Sequence, residues 1–269
     1  MRALRLLVLA SALVMSHAAT AVEPVRVYAA GSLRAVLTEL GAQYKAGTGI
    51  EVQLTFGASG LLKDRIGKGE AADLFASANT DHPAALAKAG LAAPVRVFTR
   101  NELCALVSAK APATTDTVLK TMLDPVVKLG ISTPKADPSG DYALQVFDKA
   151  AAVAGKPAAD TLRAKALTLT GGPNSPPPAA NRSQYGELVA NGQADIFLTY
   201  CTNAVIALKE QPALKMVTLP ANLSVGADYG MVVMKRAGEQ ASAFAAFLVS
   251  PVAQAVFARH GFGAIDGGR

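Results

Sequence analysis

The chain has 269 residues, of which 51% are apolar and none is Trp, with 26 Lys and Arg against 20 Asp and Glu for a net charge of +6. Its basic residues are scattered and do not form the stripe with interleaved aromatics that nucleic-acid binding requires, so no nucleic-acid partner is expected. Two Cys and three His spread along the chain show no metal-ligand spacing, and no metal ion or other cofactor is expected.

Residues 1–21 read as an export signal. Arg2 and Arg5 form a basic start, residues 6–15 an apolar stretch too short to settle across a bilayer, and Ala19-Thr20-Ala21 a small-x-small cleavage site before Val22. Cleavage leaves a soluble chain of about 248 residues, expected in the periplasm, and takes the charge from +6 to +4 by removing the two arginines. That length suits two lobes of roughly equal size.

Residues 25–29 form a strand-like run that meets Ala30-Gly31-Ser32 and then a helix carrying Leu33, Val36, Leu37, Leu40 and Tyr44 on one face, ended by Gly47 and Gly49. A second strand at 50–56 turns through Gly57-Ala58-Ser59-Gly60 into a helix at 61–66 that stops at Gly67. Turns of this kind leave unpaired N–H groups at a helix start, and glycine lets a ligand approach the backbone. Two of them at the carboxyl ends of strands point into one crevice and suit an anion. The plainer reading is that Ser32 and Ser59 are only helix caps.

A strand at 73–76 and a helix at 80–88 follow, with Thr80 as N-cap and Gly90 as the stop. Strand-like runs at 95–99 and 103–107 flank Arg100-Asn101-Glu102, where the chain is expected to cross between lobes. The second lobe reads as a helix at 117–123, a strand at 126–131, and a helix at 142–154 preceded by a third turn, Pro138-Ser139-Gly140. A proline-rich loop at 173–181, a helix at 185–190, a strand at 196–200 and a helix at 203–209 complete it. The chain should cross back near Pro220 into a strand at 229–234 and two amphipathic helices carrying Phe244, Phe247 and Leu248, then Val256 and Phe257. Strands alternating with helices imply an α/β fold with a mixed, mostly parallel sheet in each lobe.

Cys104 and Cys201 each sit in or at the end of a strand-like run, and export favours oxidation. A bond between them is expected; two buried free thiols are the alternative. Catalytic motifs fail on context. Gly67, Gly69 and Ala72 follow a helix and precede a strand, the reverse of a dinucleotide fingerprint. Ser59 lies in Gly-Ala-Ser-Gly-Leu, which lacks the second glycine of a nucleophile elbow, and after cleavage only His82 and His260 remain as bases.

The segments Val27-Tyr28-Ala29-Ala30-Gly31-Ser32-Leu33, Phe56-Gly57-Ala58-Ser59-Gly60 and Ala72-Asp73-Leu74-Phe75-Ala76-Ser77-Ala78 resemble the successive motifs of periplasmic molybdate-binding proteins, the soluble receptors of molybdate ABC importers. Pro138-Ser139-Gly140-Asp141-Tyr142 is similar to a turn of that family's second lobe, and Ala194-Asp195-Ile196-Phe197-Leu198-Thr199-Tyr200 to the strand ending in its ligand-binding tyrosine. Residues 257–262 look like the family's closing F-x-x-x-G-F.

The resemblance implies a two-lobed type II periplasmic binding protein with two hinge crossings, lobe 1 being residues 22–101 and 220–269 and lobe 2 residues 102–219. It implies a monomer that performs no chemistry on its ligand and docks on a membrane permease. Ser32 and Ser59 of lobe 1, with Ser139 and Tyr200 of lobe 2, would be hydrogen-bond donors to a molybdate or tungstate oxyanion. Two features depart from the family: Arg182 in the loop at 173–184, and Asn203 where an aspartate is common. A receptor for another small anion, such as a carboxylate engaged by Arg182, is therefore the second reading. A secreted serine hydrolase using Ser59 is the third.

Overall fold

The computed structural model describes residues 23–176 and 182–265. The export signal expected at 1–21, the cleavage point before Val22 and residues 177–181 of the proline-rich loop lie outside them. Strand β1 (Val25–Ala30) is buried at all but one position, so its run of Val and Ala is the near-continuous apolar pattern of a central parallel strand. It pairs in parallel with β2 (Val52–Gly57) on one side and β3 (Leu74–Ala76) on the other. A 3-10 turn (Gly31–Leu33) and α1 (Arg34–Thr48) make the first crossover, and Val36, Leu37, Leu40 and Tyr44 cover the sheet. The helix ends on Gly49 at φ 76°, a left-handed cap that glycine adopts without strain. Helices α2 (Ser59–Gly67) and α3 (Asp81–Lys88) connect the next strands.

Strand β4 (Arg96–Val107) runs unbroken for 12 residues and belongs to both halves of the sheet. Arg96 to Glu102 pair antiparallel with β9 (Gly226–Val233), whereas Leu103 to Val107 pair with β7 (Ile196–Tyr200) on one edge and Cys104 to Val107 with β8 (Lys215–Thr218) on the other. The two short strands expected either side of Arg100-Asn101-Glu102 are thus one. Asn101 explains how a polar residue sits mid-strand: it is 4% exposed, and its Nδ2 donates to Thr202 Oγ1 (2.9 Å) and Tyr229 Oη (3.2 Å), so little polar capacity is left unmet.

Beyond β7 lie β5 (Leu129–Ser132) and β6 (Leu167–Thr170), giving the order β2-β1-β3-β9-β4-β7-β5-β6 with β8 on β4. Parallel pairing of β1, β2 and β3, and of β5, β6 and β7, leaves one opposed strand in each half, β9 in the first and β4 in the second. The mostly parallel α/β architecture expected from the alternation is present. From β8 the chain returns through residues 219–225, where Leu223 N–H and Ser224 N–H donate to the Pro220 carbonyl (2.8 and 2.9 Å).

Helices α4 (Val118–Leu123), α5 (Pro138–Ala154), α6 (Lys156–Lys165), α7 (Gln184–Ala190) and α8 (Cys201–Glu210) flank the second half; α9 (Glu239–Leu248) and α10 (Pro251–Arg259) return to the first. Phe244 and Phe247 of α9 pack on Tyr44 of α1 at ring distances of 5.0 and 5.2 Å. Helix α6 and strands β6 and β8 were not foreseen. Cys104 of β4 and Cys201 at the start of α8 form a disulfide. Among the described residues no single helix is long and apolar enough to cross a membrane.

Candidate ligand-binding cleft

The strand-to-helix turns after β1 and β2 meet residues of the second half around a cleft of about 200 Å³. Ser32, Ser59 and Tyr200 line it together, although they come from three separate elements. Ser59 opens α2 and is 1% exposed; its Oγ accepts from Ala78 N–H at 3.2 Å. Tyr200, 2% exposed at the end of β7, donates its hydroxyl to the Ala78 carbonyl at 3.1 Å. Ser32 shares a hydrogen bond of 2.9 Å with Tyr229 Oη, which also receives Asn101 Nδ2. The turn that presents Ser32 is thereby joined to β9 and, through Tyr229, to β4, the strand that belongs to both halves.

Burial pushes the phenols of Tyr200 and Tyr229 well above the ordinary tyrosine range, so both stay protonated and able to donate. Among the described residues two hydrogen bonds span the cleft, the one from Tyr200 and a backbone bond from Gly60 N–H of α2 to the Ala136 carbonyl at 2.8 Å. Gly60 permits that approach: a Cβ there would stand 2.3 Å from the Lys135 carbonyl oxygen and 2.8 Å from that of Ala136.

Two of the residues expected in the site do not line this cleft. Ser139 is fully buried and outside the cleft wall; its Oγ donates to Ser132 Oγ at 2.8 Å, and its N–H is taken by the Asp137 carboxylate at 3.1 Å. The N-terminus of α5 is therefore capped from within the chain. Arg182 is half exposed, its guanidinium 3.3 Å from Glu187 and 3.4 Å from Glu210, and is likewise absent from the cleft wall. Two acidic neighbours pair with it.

The cation in the cleft is instead Arg34, the first residue of α1, whose guanidinium lies 4.6 Å over the Phe56 ring. No carboxylate pairs with it among the described residues. Burial lowers its pKa, but a guanidinium remains charged in any case. Its position on the polar side of an amphipathic helix disguised it in the sequence; the one signal was its place two residues after Ser32 at a helix start. Asp137, Tyr185 and the Gly171-Gly172 turn also line the cleft and were also missed.

The arrangement gathers neutral donors and one cation around a small space, which suits holding an anion. For nucleophilic chemistry Ser59 would need a base. His260 instead bonds Glu39 at 2.7 Å, and no histidine bonds the Ser59 hydroxyl among the described residues.

A family model described as bacterial extracellular solute-binding protein matches residues 25–263. An uncharacterised protein of Pasteurella multocida (strain Pm70) is 35% identical over 213 residues, 76% of this chain and 84% of its own. The molybdate-binding protein ModA of Mycobacterium tuberculosis (strain H37Rv) is 28% identical over 245 residues, 88% of this chain and 83% of its own. Among solved structures, the periplasmic molybdate-binding protein of Azotobacter vinelandii superposes with a TM-score of 0.70 at 23% identity, covering 88% of this chain and 98% of that one. The sulfate-binding protein SubI of Mycobacterium tuberculosis gives 0.77 at 18% identity, covering 91% and 88%. At such identities the structures establish the two-lobed α/β fold alone.

Proposed function

Since the chain belongs to the bacterial extracellular solute-binding protein family, we propose that it is the periplasmic receptor of an ABC importer and carries a small oxyanion, molybdate or tungstate first, in the cleft between two lobes. On this reading residues 1–21 are the export signal, the lobes are 22–101 with 220–269 and 102–219, and a monomer docks on the membrane permease. The observation that carries it is the convergence of Ser32, Ser59, Tyr200 and Arg34 on one cleft of about 200 Å³. Likeness to molybdate-binding relatives in sequence supports the choice of anion.

Calorimetry against molybdate, tungstate, sulfate, phosphate and small carboxylates tests the proposal, and heat from none of them refutes it. Ser59→Ala should weaken binding of the preferred anion by about 1.5 to 3 kcal/mol, the range for a hydrogen bond to a charged partner. A change under twofold removes Ser59 from the site.

The second reading, a carboxylate receptor, gains from Arg34 and not from Arg182. A guanidinium facing the cleft is matched to a planar carboxylate, whereas Arg182 is engaged by Glu187 and Glu210. Arg34→Ala should therefore cost more affinity than Arg182→Ala for every anion that binds. Equal losses in a titration of the two variants contradict that placement.

A further inference from the structure

One group in the cleft opposes an anion. Asp137 lines the cleft together with Tyr200, Ser32 and Ser59. As the N-cap of α5 it uses Oδ1 to accept from Ser139 N–H; its Oδ2 lies against Gly171, 2.7 Å from where a Cβ would stand. The cap by itself does not call for a carboxylate, since Asn serves equally well at that position. A carboxylate and an oxyanion enclosed in one cavity of about 200 Å³ repel strongly unless a proton lies between them.

On the reading of the cleft as an oxyanion site, we propose that Asp137 makes it selective for anions that enter with one proton. Hydrogen phosphate brings its own proton and donates it to the Asp137 carboxylate. Molybdate or tungstate has none to give, so each binds together with one proton taken from water onto Asp137, whose hydroxyl then donates to the anion. Either route leaves one proton between Asp137 and the anion, and the phosphate complex, which takes none from water, carries one more negative charge than the molybdate complex.

The surroundings agree. Burial raises the Asp137 carboxyl above the ordinary aspartate range, opposed by the Ser139 N–H and the Ser139 and Ser132 hydroxyls, and Asp141 one turn along α5 pushes it up further. Tyr185 from α7 and Tyr200 from β7 line the same cleft as protonated phenols, burial having raised both. Lys135 before the cap is exposed, and Arg34 of α1 is the cation across the cleft. Protonating Asp137 leaves Arg34 to act on the ligand alone.

The test is calorimetry of molybdate and phosphate from about pH 6 to about pH 9, in buffers of different ionisation heat, on the wild-type protein and Asp137→Asn. The wild type should take up about one proton per molybdate at the alkaline end, with affinity falling about tenfold per pH unit there. Phosphate should bind with no uptake wherever hydrogen phosphate dominates. Asp137→Asn should take up none, keep a flat profile, and bind molybdate at least about tenfold tighter than the wild type at the highest pH. Wild-type molybdate binding that is flat with pH and free of proton uptake overturns the proposal, as does an Asp137→Asn profile that follows the wild type. Failure of both proteins to bind any anion at any pH overturns the oxyanion reading itself, and this proposal with it.

Discussion

Gly60→Ala is expected to weaken ligand binding roughly 30- to 1000-fold while leaving the fold intact. The added methyl would meet the carbonyl oxygens of Lys135 and Ala136 at 2.3 and 2.8 Å, and both are backbone atoms that no rotamer change can move aside. Relieving those contacts would need the two sides to separate, losing the Gly60 N–H to Ala136 bond of 2.8 Å and loosening the cleft wall around Ser59. Overpacking of this sort costs about 1 to 3 kcal/mol and the hydrogen bond about 1, and each 1.4 kcal/mol is a factor of ten in affinity. A ligand that binds the closed form pays that penalty in full through the closing equilibrium. Opened, the protein bears no such strain, and alanine in a helix is worth up to about 1 kcal/mol over glycine, so the melting temperature of the free protein should not fall. Gly67→Ala, in the same helix with nothing within 4 Å of the new atom, is the control and should bind as the wild type does. Small-angle scattering should show the wild type compacting with ligand and Gly60→Ala remaining extended. If Gly60→Ala binds and compacts normally, the contact is not part of closure.

What the sequence disclosed and what it hid divide along the range of the interactions. The turns that present Ser32 and Ser59 depend on Gly and Ser at adjacent positions, so a local pattern was enough to find them. Ser139 has the same local pattern and a different fate. Asp137 two residues earlier takes its N–H, and Ser132, seven residues away on β5, takes its hydroxyl. Arg182 drew attention because its loop is unusual, yet Glu210 on α8, distant in sequence, pairs with it. Arg34 looked like any charged residue on the solvent side of a helix until the packing of β1 against β2 brought Phe56 beneath it. The unbroken β4 was hidden for a similar reason: Arg100-Asn101-Glu102 has the composition of a loop, and only the partners Thr202 and Tyr229 make a buried Asn101 tolerable in a strand. Edge strands β6 and β8, four residues each and partly exposed, carry too short a pattern to be separated from their flanking turns.

Loss of the Cys104 to Cys201 disulfide should lower stability by about 4 to 5 kcal/mol, the chain-entropy figure for a closed loop of this length, with 97 as the sequence separation. The bond adds little to contacts in the folded protein. Cys104 already pairs with Thr199 across the β4 and β7 ladder and with Thr218 across β4 and β8, so these strands stay together without it. Its effect lies in the unfolded chain, where joining β4 to the start of α8 removes conformations that would otherwise favour unfolding. For a chain of this size the loss corresponds to a fall in melting temperature of roughly 10 °C or more, read by calorimetry on Cys104→Ala/Cys201→Ala or on reduced wild type. The same geometry separates stability from binding. Tyr200 precedes Cys201 directly, but its backbone is held by the ladder opposite Leu103 and its hydroxyl by the Ala78 carbonyl, neither of which needs the sulfur bridge. Ligand affinity measured well below the melting point should therefore change by less than about threefold, under 1 kcal/mol. A melting temperature that moves by only a degree or two would mean that the unfolded chain is already compact around these strands, while a large loss of affinity would mean that the bridge, and not the ladder, places Tyr200 in the cleft.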